Sequence, residues 1–310
     1  MTNAGKRGDH MRQGRFWNRA NLLGFAALAV AVACGPQTER SGSPSDADER
    51  TPSSKPSEAS PASPRALVQQ LATEEDIRLV DLTHPLSPQS LYWPTGSPFE
   101  HRRLAWGMNE EGLWYAAAAF SSPEHLGTHL DAPIHFAEEG WTATDIPIDR
   151  LVAAAAVIDI SARSARIADT TLDPDDVTTW ERMNGALPRG SMLIVRTGWS
   201  SRWPDWERYY GSKTPKDAGT FHFPGVSQQA ATMLVERGVA GVGIDTASID
   251  PGVSTTFEAH RVLAAANIFN LENLANLDEL PVTGGVIVAL PMKIEGGSGG
   301  PTRVVAIVPR

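Results

Sequence analysis

The chain reads as a mixed α/β domain with a barrel-like or multilayer sheet, behind an N-terminal segment that stands apart from the fold. Three observations give this class. Short β-rich runs outnumber helical stretches. Several of those runs are apolar throughout, as strands covered on both faces are. The two kinds of element do not alternate in a regular βαβ order, and no internal repeat is visible.

The β-rich runs are DIRLVDLTH (76–84), LWYAAAAF (113–120), AAAAVIDIS (153–161), SMLIVRTGW (191–199), VAGVGIDT (239–246), NIFNL (267–271), GGVIVALPMKI (284–294) and TRVVAIVP (302–309). Three stretches read as helices. DPDDVTTWERM has Asp173 as N-cap with Pro174 at the first helical position, and SQQAATMLVERG runs from a Ser227 cap to a Gly238 stop. TTFEAHRVLAAAN places Phe257, His260 and Leu263 near one face. The aromatic-rich segment 199–223 carries Trp199, Trp203, Trp206, Tyr209, Tyr210, Phe221 and Phe223 among charges and turn formers. Such a segment covers a substrate, meets another subunit, or packs on its own core.

The N-terminal segment has its own logic. Lys6, Arg7, Arg12, Arg15 and Arg19 precede a short apolar run, LLGFAALAVAVAC, that ends at Cys34, the only cysteine. This is the pattern of a signal peptide over residues 1–33, too short for a membrane span. Alanine and valine before Cys34 and glycine after it resemble a bacterial lipobox, which implies an acylated Cys34; a plain secretory signal cut nearby is the alternative. Residues 34–65 are dominated by Ser, Pro and charge, bury almost nothing, and read as a disordered tether. The expected location is therefore the cell envelope or periplasm, with membrane contact only through the anchor. With one cysteine the folded part, residues 66–310, has no disulfide, and packing alone must hold it. A net charge of −9 with no basic block outside the extreme N-terminus excludes nucleic acid as an expected partner.

The chemistry concentrates in EHLGTHLDAPIH, residues 124–135. His125, Gly127, His129, Asp131, Pro133 and His135 are all odd-numbered, so an extended chain directs them to one face. A helix would put Asp131 about 240° around the axis from His125 and would bury Pro133 in its interior. Straight, the stretch would span roughly 33 Å, so it must bend for its side chains to meet, and Gly127 and Pro133 are where it can. Two imidazoles and a carboxylate at this spacing form a ligand set for a divalent metal such as zinc or manganese, with His135 left over to move protons. A structural polar cluster is the competing reading. His10, His84, His101 and His222, which are scattered, read as ordinary core or surface imidazoles.

The stretch HLGTHLDAPIHF matches every fixed position of H-x-G-T-H-x-D-x-P-x-H, and the likeness extends through DLTHPLSPQSLYWP, LIVRTGW, VGIDTASID, a histidine twelve residues before a glutamate in HRVLAAANIFNLE, and LPMKIEGGSGGPTRVVAI. These motifs, which span 76–308, resemble the metal-dependent cyclase or kynurenine formamidase-like hydrolase family, which includes isatin hydrolases. The resemblance implies a swivelling β/β/α architecture, a homo-oligomer, and hydrolysis of a cyclic amide or N-formyl aromatic amide with one or two divalent metals. It implies His125, His129 and Asp131 as metal ligands, His135 as the catalytic histidine, and His260 with Glu272 as the pair that completes a second metal position. Without it, His260 reads as a core histidine and Glu272 as a helix-start acid. It also implies that Tyr92 and Trp93 line a pocket for an aromatic ring; they read equally well as core. A divalent cation lowers the pKa of bound water from about 16 toward 7, which is the attack such a site would use.

Two rivals stand beside this reading. GGSGG at 296–300 satisfies the G-x-S-x-G pattern of serine hydrolases, but Pro301 and a β-type run follow where a helix is required. A lipid-anchored metal- or ligand-binding receptor without catalysis would carry the same anchor and tether, but has no use for His135.

Overall fold

A computed structural model describes residues 77–214 and 216–310. The signal segment 1–33, Cys34 and the tether to residue 65 lie outside the described residues.

Seven strands close into a mixed barrel. In ring order they are β12 (Gly299–Pro309), β11 (Val286–Pro291), β5 (Val152–Asp159), β7 (Met192–Arg196), β9 (Gly241–Ile244), β10 (Phe269–Glu272) and β4 (His129–Asp131), which pairs back onto β12. β5, β7, β9 and β10 run parallel; β4, β11 and β12 pair antiparallel. β1 (Ile77–Asp81) adds to the far end of β12. The expected barrel-like mixed sheet is thus a closed ring, made possible because the long β12 serves β1 and β11 with one end and β4 with the other.

The alternation of side chains sorts the core into two layers. Leu130, Ala155, Val157, Met192, Ile194, Leu271, Ile287, Val304 and Ala306 fill the barrel interior. Ala156, Ile158, Leu193, Val195, Val242 and Ile244 face outward and are covered by α2 (Pro174–Asn184), α4 (Gln228–Arg237) and α5 (Glu258–Ala265). This double covering is why the runs in β5, β7 and β9 are apolar without alternation. Each fully buried aliphatic side chain contributes about 1.5–3 kcal/mol. The caps read from the sequence are present: the Asp173 N–H donates to Asp176 Oδ2 at 2.9 Å, Ser227 Oγ accepts from the Ala230 N–H at 3.2 Å, and Gly238 ends α4 at φ 68°.

Three expectations differ from the structure. β2 (Glu100–Met108) is a strand with no signal in the sequence; with β3 (Trp114–Ser121) it forms a two-stranded ribbon. Most of its side chains are exposed, so no apolar alternation marks it. Phe257 is not on a helix face: it is the N-cap of α5, at φ 52°. Glu272 ends strand β10 and does not start a helix.

The aromatic-rich segment contains short α3 (Trp206–Tyr210) and packs on a core of its own. Trp199, Tyr209, Tyr210, Phe221 and Phe223 are buried there with Leu91 and Ala247. Among the described residues, no helix is long and apolar enough to cross a membrane.

Candidate metal centre

The motif works because β4 is short and flanked by two bends. Gly127 adopts φ 61°, where a side chain is strained, and a Cβ there would meet Leu86 at 2.8 Å. Pro133 opens a 3-10 turn, Pro133–His135, whose fixed φ suits a first helical position. Between these bends, β4 directs Leu130 into the barrel and His129 and Asp131 out of it.

Register then brings in the distant residues. His129 lies opposite Glu272 in the β4–β10 ladder, so the last residue of β10 faces the motif. α5 packs over this face and supplies His260. His129, Asp131, His260 and Glu272 are each only 3–4% exposed. His125, in the loop before the first bend, is half-buried at the edge.

The distances define two overlapping groups. His125 Nδ1 lies 2.5 Å and His129 Nε2 3.1 Å from Asp131 Oδ1. His260 Nε2 lies 3.1 Å from Asp131 Oδ2 and 3.1 Å from Glu272 Oε1. Within each of the sets His125–His129–Asp131 and Asp131–His260–Glu272, one ligand atom per residue lies within 4.8 Å of the others. Asp131 belongs to both, with a different oxygen toward each. All five residues that the resemblance implies as ligands therefore converge.

The other nitrogen of each imidazole is already engaged. His129 Nδ1–H donates to the Gly127 carbonyl at 2.8 Å, and that carbonyl also accepts from Asn273 Nδ2 at 2.9 Å. His260 Nδ1–H donates to Asp250 Oδ2 at 2.7 Å, while Asp250 also accepts the Ala259 and His260 backbone N–H groups. His125 Nε2 lies 2.9 Å from Ser298 Oγ. These contacts orient the rings and leave His125 Nδ1, His129 Nε2 and His260 Nε2 facing the carboxylates. Oxygen and imidazole donors in this mixture suit a divalent cation such as zinc or manganese, so the residues present fit the group that the resemblance implies.

The electrostatics point the same way. Burial lowers the His129 pKa, but Asp131 and Glu272 overcome it and hold the group at about 9. His260 behaves alike: burial opposes its charge, and Asp131, Asp250 and Glu272 drive its pKa well above the usual imidazole value. Burial, then the Asp131 charge, raises Glu272. A buried cluster that draws protons onto its imidazoles is one that a cation can neutralise instead.

His135 is different. Its ring stacks on His125 at a centroid distance of 3.8 Å and is 6.3 Å from His260, but among the described residues no hydrogen bond to a carboxylate holds it. Burial, with His125, His260 and His129 adding to it and Asp131 opposing, pushes its pKa down to about 4. It stands on the rim, neutral near pH 7.

Above the cluster opens a cavity of about 240 Å³. Its floor is the cluster, and Tyr92, Trp93, Phe136, Tyr210 and Phe257 contribute its aromatic walls. Phe257 stands 6.1 Å from Trp93 and 5.3 Å from Phe136. Tyr92 and Trp93 are thus in the pocket and also in packing contact, Trp93 edge-on to Phe221 at 5.4 Å. The aromatic-rich segment reaches the same cavity through Tyr210, whose hydroxyl donates to the Tyr92 carbonyl at 3.0 Å. Of the scattered histidines, His84 stacks on Trp203, His101 stacks on Phe99 and His222 pairs with Asp169; His10 lies outside the described residues.

Nothing in the sequence marks Asn273 or Asp250 as part of this site; Tyr210 is visible only as a member of the aromatic-rich segment and Phe257 only as a neighbour of His260. Asp250 is visible there only as an unassigned member of VGIDTASID.

Comparison with known proteins agrees with this geometry. A family model described as "Putative cyclase" matches residues 80–251. An isatin hydrolase of Roseibium aggregatum is 36% identical over 211 residues, 65% of this chain and 78% of the relative. A kynurenine formamidase of Salinibacter ruber is 30% identical over 229 residues, 73% of this chain and 96% of the relative. A crystal structure of an isatin hydrolase bound to the product analogue thioisatinate superposes with a TM-score of 0.71 at 30% identity, covering 79% of this chain and 97% of that one. A closed mixed barrel, a shared aspartate between two donor triplets and this degree of likeness together place the chain in the Cyclase family, beside the isatin hydrolases and kynurenine formamidases.

Proposed function

We propose that the chain is a metal-dependent hydrolase of C–N bonds that opens a cyclic amide or cleaves an N-formyl aromatic amide. The observation that carries this is the sharing of Asp131 between two buried donor triplets at the floor of an aromatic cavity. The bound thioisatinate of the related isatin hydrolase supports a flat aromatic substrate.

His125, His129 and Asp131 would hold one divalent cation, zinc or manganese, and Asp131, His260 and Glu272 a second where two bind. When bound, the cation supplies a Lewis acid that makes water acidic enough to attack near neutral pH and polarises the scissile carbonyl. The rest falls to the chain. Trp93, Phe257 and Phe136, which line the cavity, are placed to flank an aromatic ring above the floor. Closure by these apolar walls excludes bulk water and strengthens every charge interaction below them. His135, neutral and stacked over His125, has a lone pair free to take a proton from attacking water and pass it to the departing nitrogen. Hydrolysis breaks the carbonyl C–N bond, adds OH to carbon and H to nitrogen; for isatin the products are one molecule bearing an arylamine and a carboxylate.

The same reading includes the wider organisation. The β/β/α arrangement implied by the resemblance is supported by the three helices packed on the outer face of the barrel. A homo-oligomer is supported by the β2–β3 ribbon, which exposes Leu104, Trp106, Met108, Trp114 and Tyr115. Export and anchoring through Cys34, with residues 34–65 as tether to the 66–310 domain, are supported by the basic, apolar and Ser/Pro-rich sequence pattern.

The test is hydrolysis of isatin, N-formylkynurenine and simple lactones by the purified protein before and after chelation. Activity on an aryl amide, lost with chelator and restored by zinc or manganese, is expected. Tight metal binding with no turnover across the panel would favour the receptor reading instead.

A further inference from the structure

The glycine-rich GGSGG segment has no place in the chemistry above, yet Ser298 reaches the cluster. It lies in the loop between β11 and β12, followed by strand and not helix, so the context of a nucleophilic serine is missing. The glycine after it is there for closeness: a Cβ on Gly299 would lie 2.4 Å from the Leu130 carbonyl and 2.8 Å from His125 Cε1. This lets the loop lie flat against the His125 ring.

Two acceptor–donor relations fix the hydroxyl. Glu124 Oε2 lies 2.6 Å from Ser298 Oγ and 2.8 Å from the Ser298 backbone nitrogen. A carboxylate accepts, so both Ser298 groups donate to it. With its proton committed to Glu124, Ser298 Oγ has only lone pairs for His125, and the 2.9 Å contact requires Nε2 to carry the hydrogen. His125 Nδ1 then faces Asp131 Oδ1 at 2.5 Å, on the side where the donor triplet converges and where a cation would take the place of the hydrogen that Nδ1 otherwise shares with the carboxylate.

We infer that Glu124 and Ser298 are a positioning pair that fixes His125 in its Nε2–H tautomer and aims Nδ1 at the cation. The chain Glu124–Ser298–His125 does for this half-buried imidazole what the Asp250 carboxylate does for His260 and the Gly127 carbonyl for His129. The same contacts also oppose a Ser298–His125–Asp131 nucleophilic triad, in which the serine proton would have to point at His125.

The inference rests on the metal reading, and the test separates the two. The metal-free full chain is titrated with zinc against a chromogenic chelator, in wild type, Ser298→Ala, Ser298→Thr, Glu124→Gln and the Ser298→Ala/Glu124→Gln double variant. Ser298→Ala keeps the backbone N–H to Glu124 and the Ser298 carbonyl that accepts from the Ala132 N–H at 2.8 Å, so the loop stays in place. Each of Ser298→Ala and Glu124→Gln should weaken zinc binding about 10–100-fold, with the metal-free melting temperature unchanged. Ser298→Thr should stay near wild type. The double variant should be little worse than either single one, and ¹⁵N spectra of Ser298→Ala should show His125 losing its single tautomer. Wild-type affinity in Ser298→Ala, additive losses in the double variant, a matching loss of metal-free stability, or covalent labelling of Ser298 by a fluorophosphonate would each overturn the positioning role. A wild-type chain that binds no zinc would overturn the metal reading itself.

Discussion

The floor and the rim of the cavity hold the same kind of side chain in opposite states. On the floor, His129 and His260 are buried among carboxylates, which raise both; on the rim, His135 touches no carboxylate, and burial lowers it to about 4. The floor imidazoles are the more buried, and burial alone would lower them most, so burial does not explain the contrast. The backbone does. Floor residues come from β4, β10 and α5, whose register puts each imidazole against an acid; His135 comes from a 3-10 turn past the second bend and faces another imidazole. Identical chemistry is thereby divided into groups placed where they could hold a cation and one that, under the proposed function, would exchange protons.

The floor is where a substitution should do most damage. Asp131→Asn removes the charge shared by both triplets and should abolish metal retention and reduce kcat/KM by more than about 10³-fold, because each candidate ligand set loses its carboxylate at once. Steady-state kinetics with metal analysis checks it. His135→Ala, on the rim, should keep metal and fold but lower kcat by about 10²–10⁴-fold. Equal metal loss in both variants would erase the distinction between floor and rim. In the walls, Trp93→Ala should raise KM for an aromatic amide about tenfold with a smaller effect on kcat, since it removes contact area and no proton-transfer group.

The smallest effect concerns a histidine outside the cavity. Burial, opposed by Asp81, lowers the His84 pKa to about 4 from 6.5, and its ring stacks on Trp203 at 4.5 Å. Between those two values the unfolded chain binds a proton that the folded chain does not. Stability contributed by His84 is therefore present above pH 6.5 and is lost as pH falls toward 4, by at most about 3 kcal/mol. Denaturant unfolding of His84→Phe should show a shallower acid limb than wild type, whereas His135, shifted the same way, keeps its own share.

Much of the floor is legible in the amino-acid sequence. Odd numbering announces the common face of His129 and Asp131 on β4, and Gly127 and Pro133 announce the bends, because both signals are local and obey fixed backbone geometry; His125 joins them through the Gly127 bend and not through strand alternation. The continuous apolar runs likewise announce strands covered on both faces. What the sequence does not display is long-range. Asp250 and Ser298 reach the cluster only through α5 packing and the β4–β12 pairing, and neither carries a local signal of that. Glu272 reads as a helix-start acid until register sets it opposite His129. Phe257 enters the pocket by taking φ 52°, a conformation that its residue type does not advertise. β2 is invisible because a ribbon exposed on both faces has no apolar period.

The most direct measurement is metal content, by mass spectrometry, of wild type, His135→Ala and Asp131→Asn after chelation, reloading with zinc or manganese and desalting. The expected result is one or two ions per chain in wild type and His135→Ala and none in Asp131→Asn. A wild-type chain that stays metal-free under these conditions and still hydrolyses isatin would contradict the central claim.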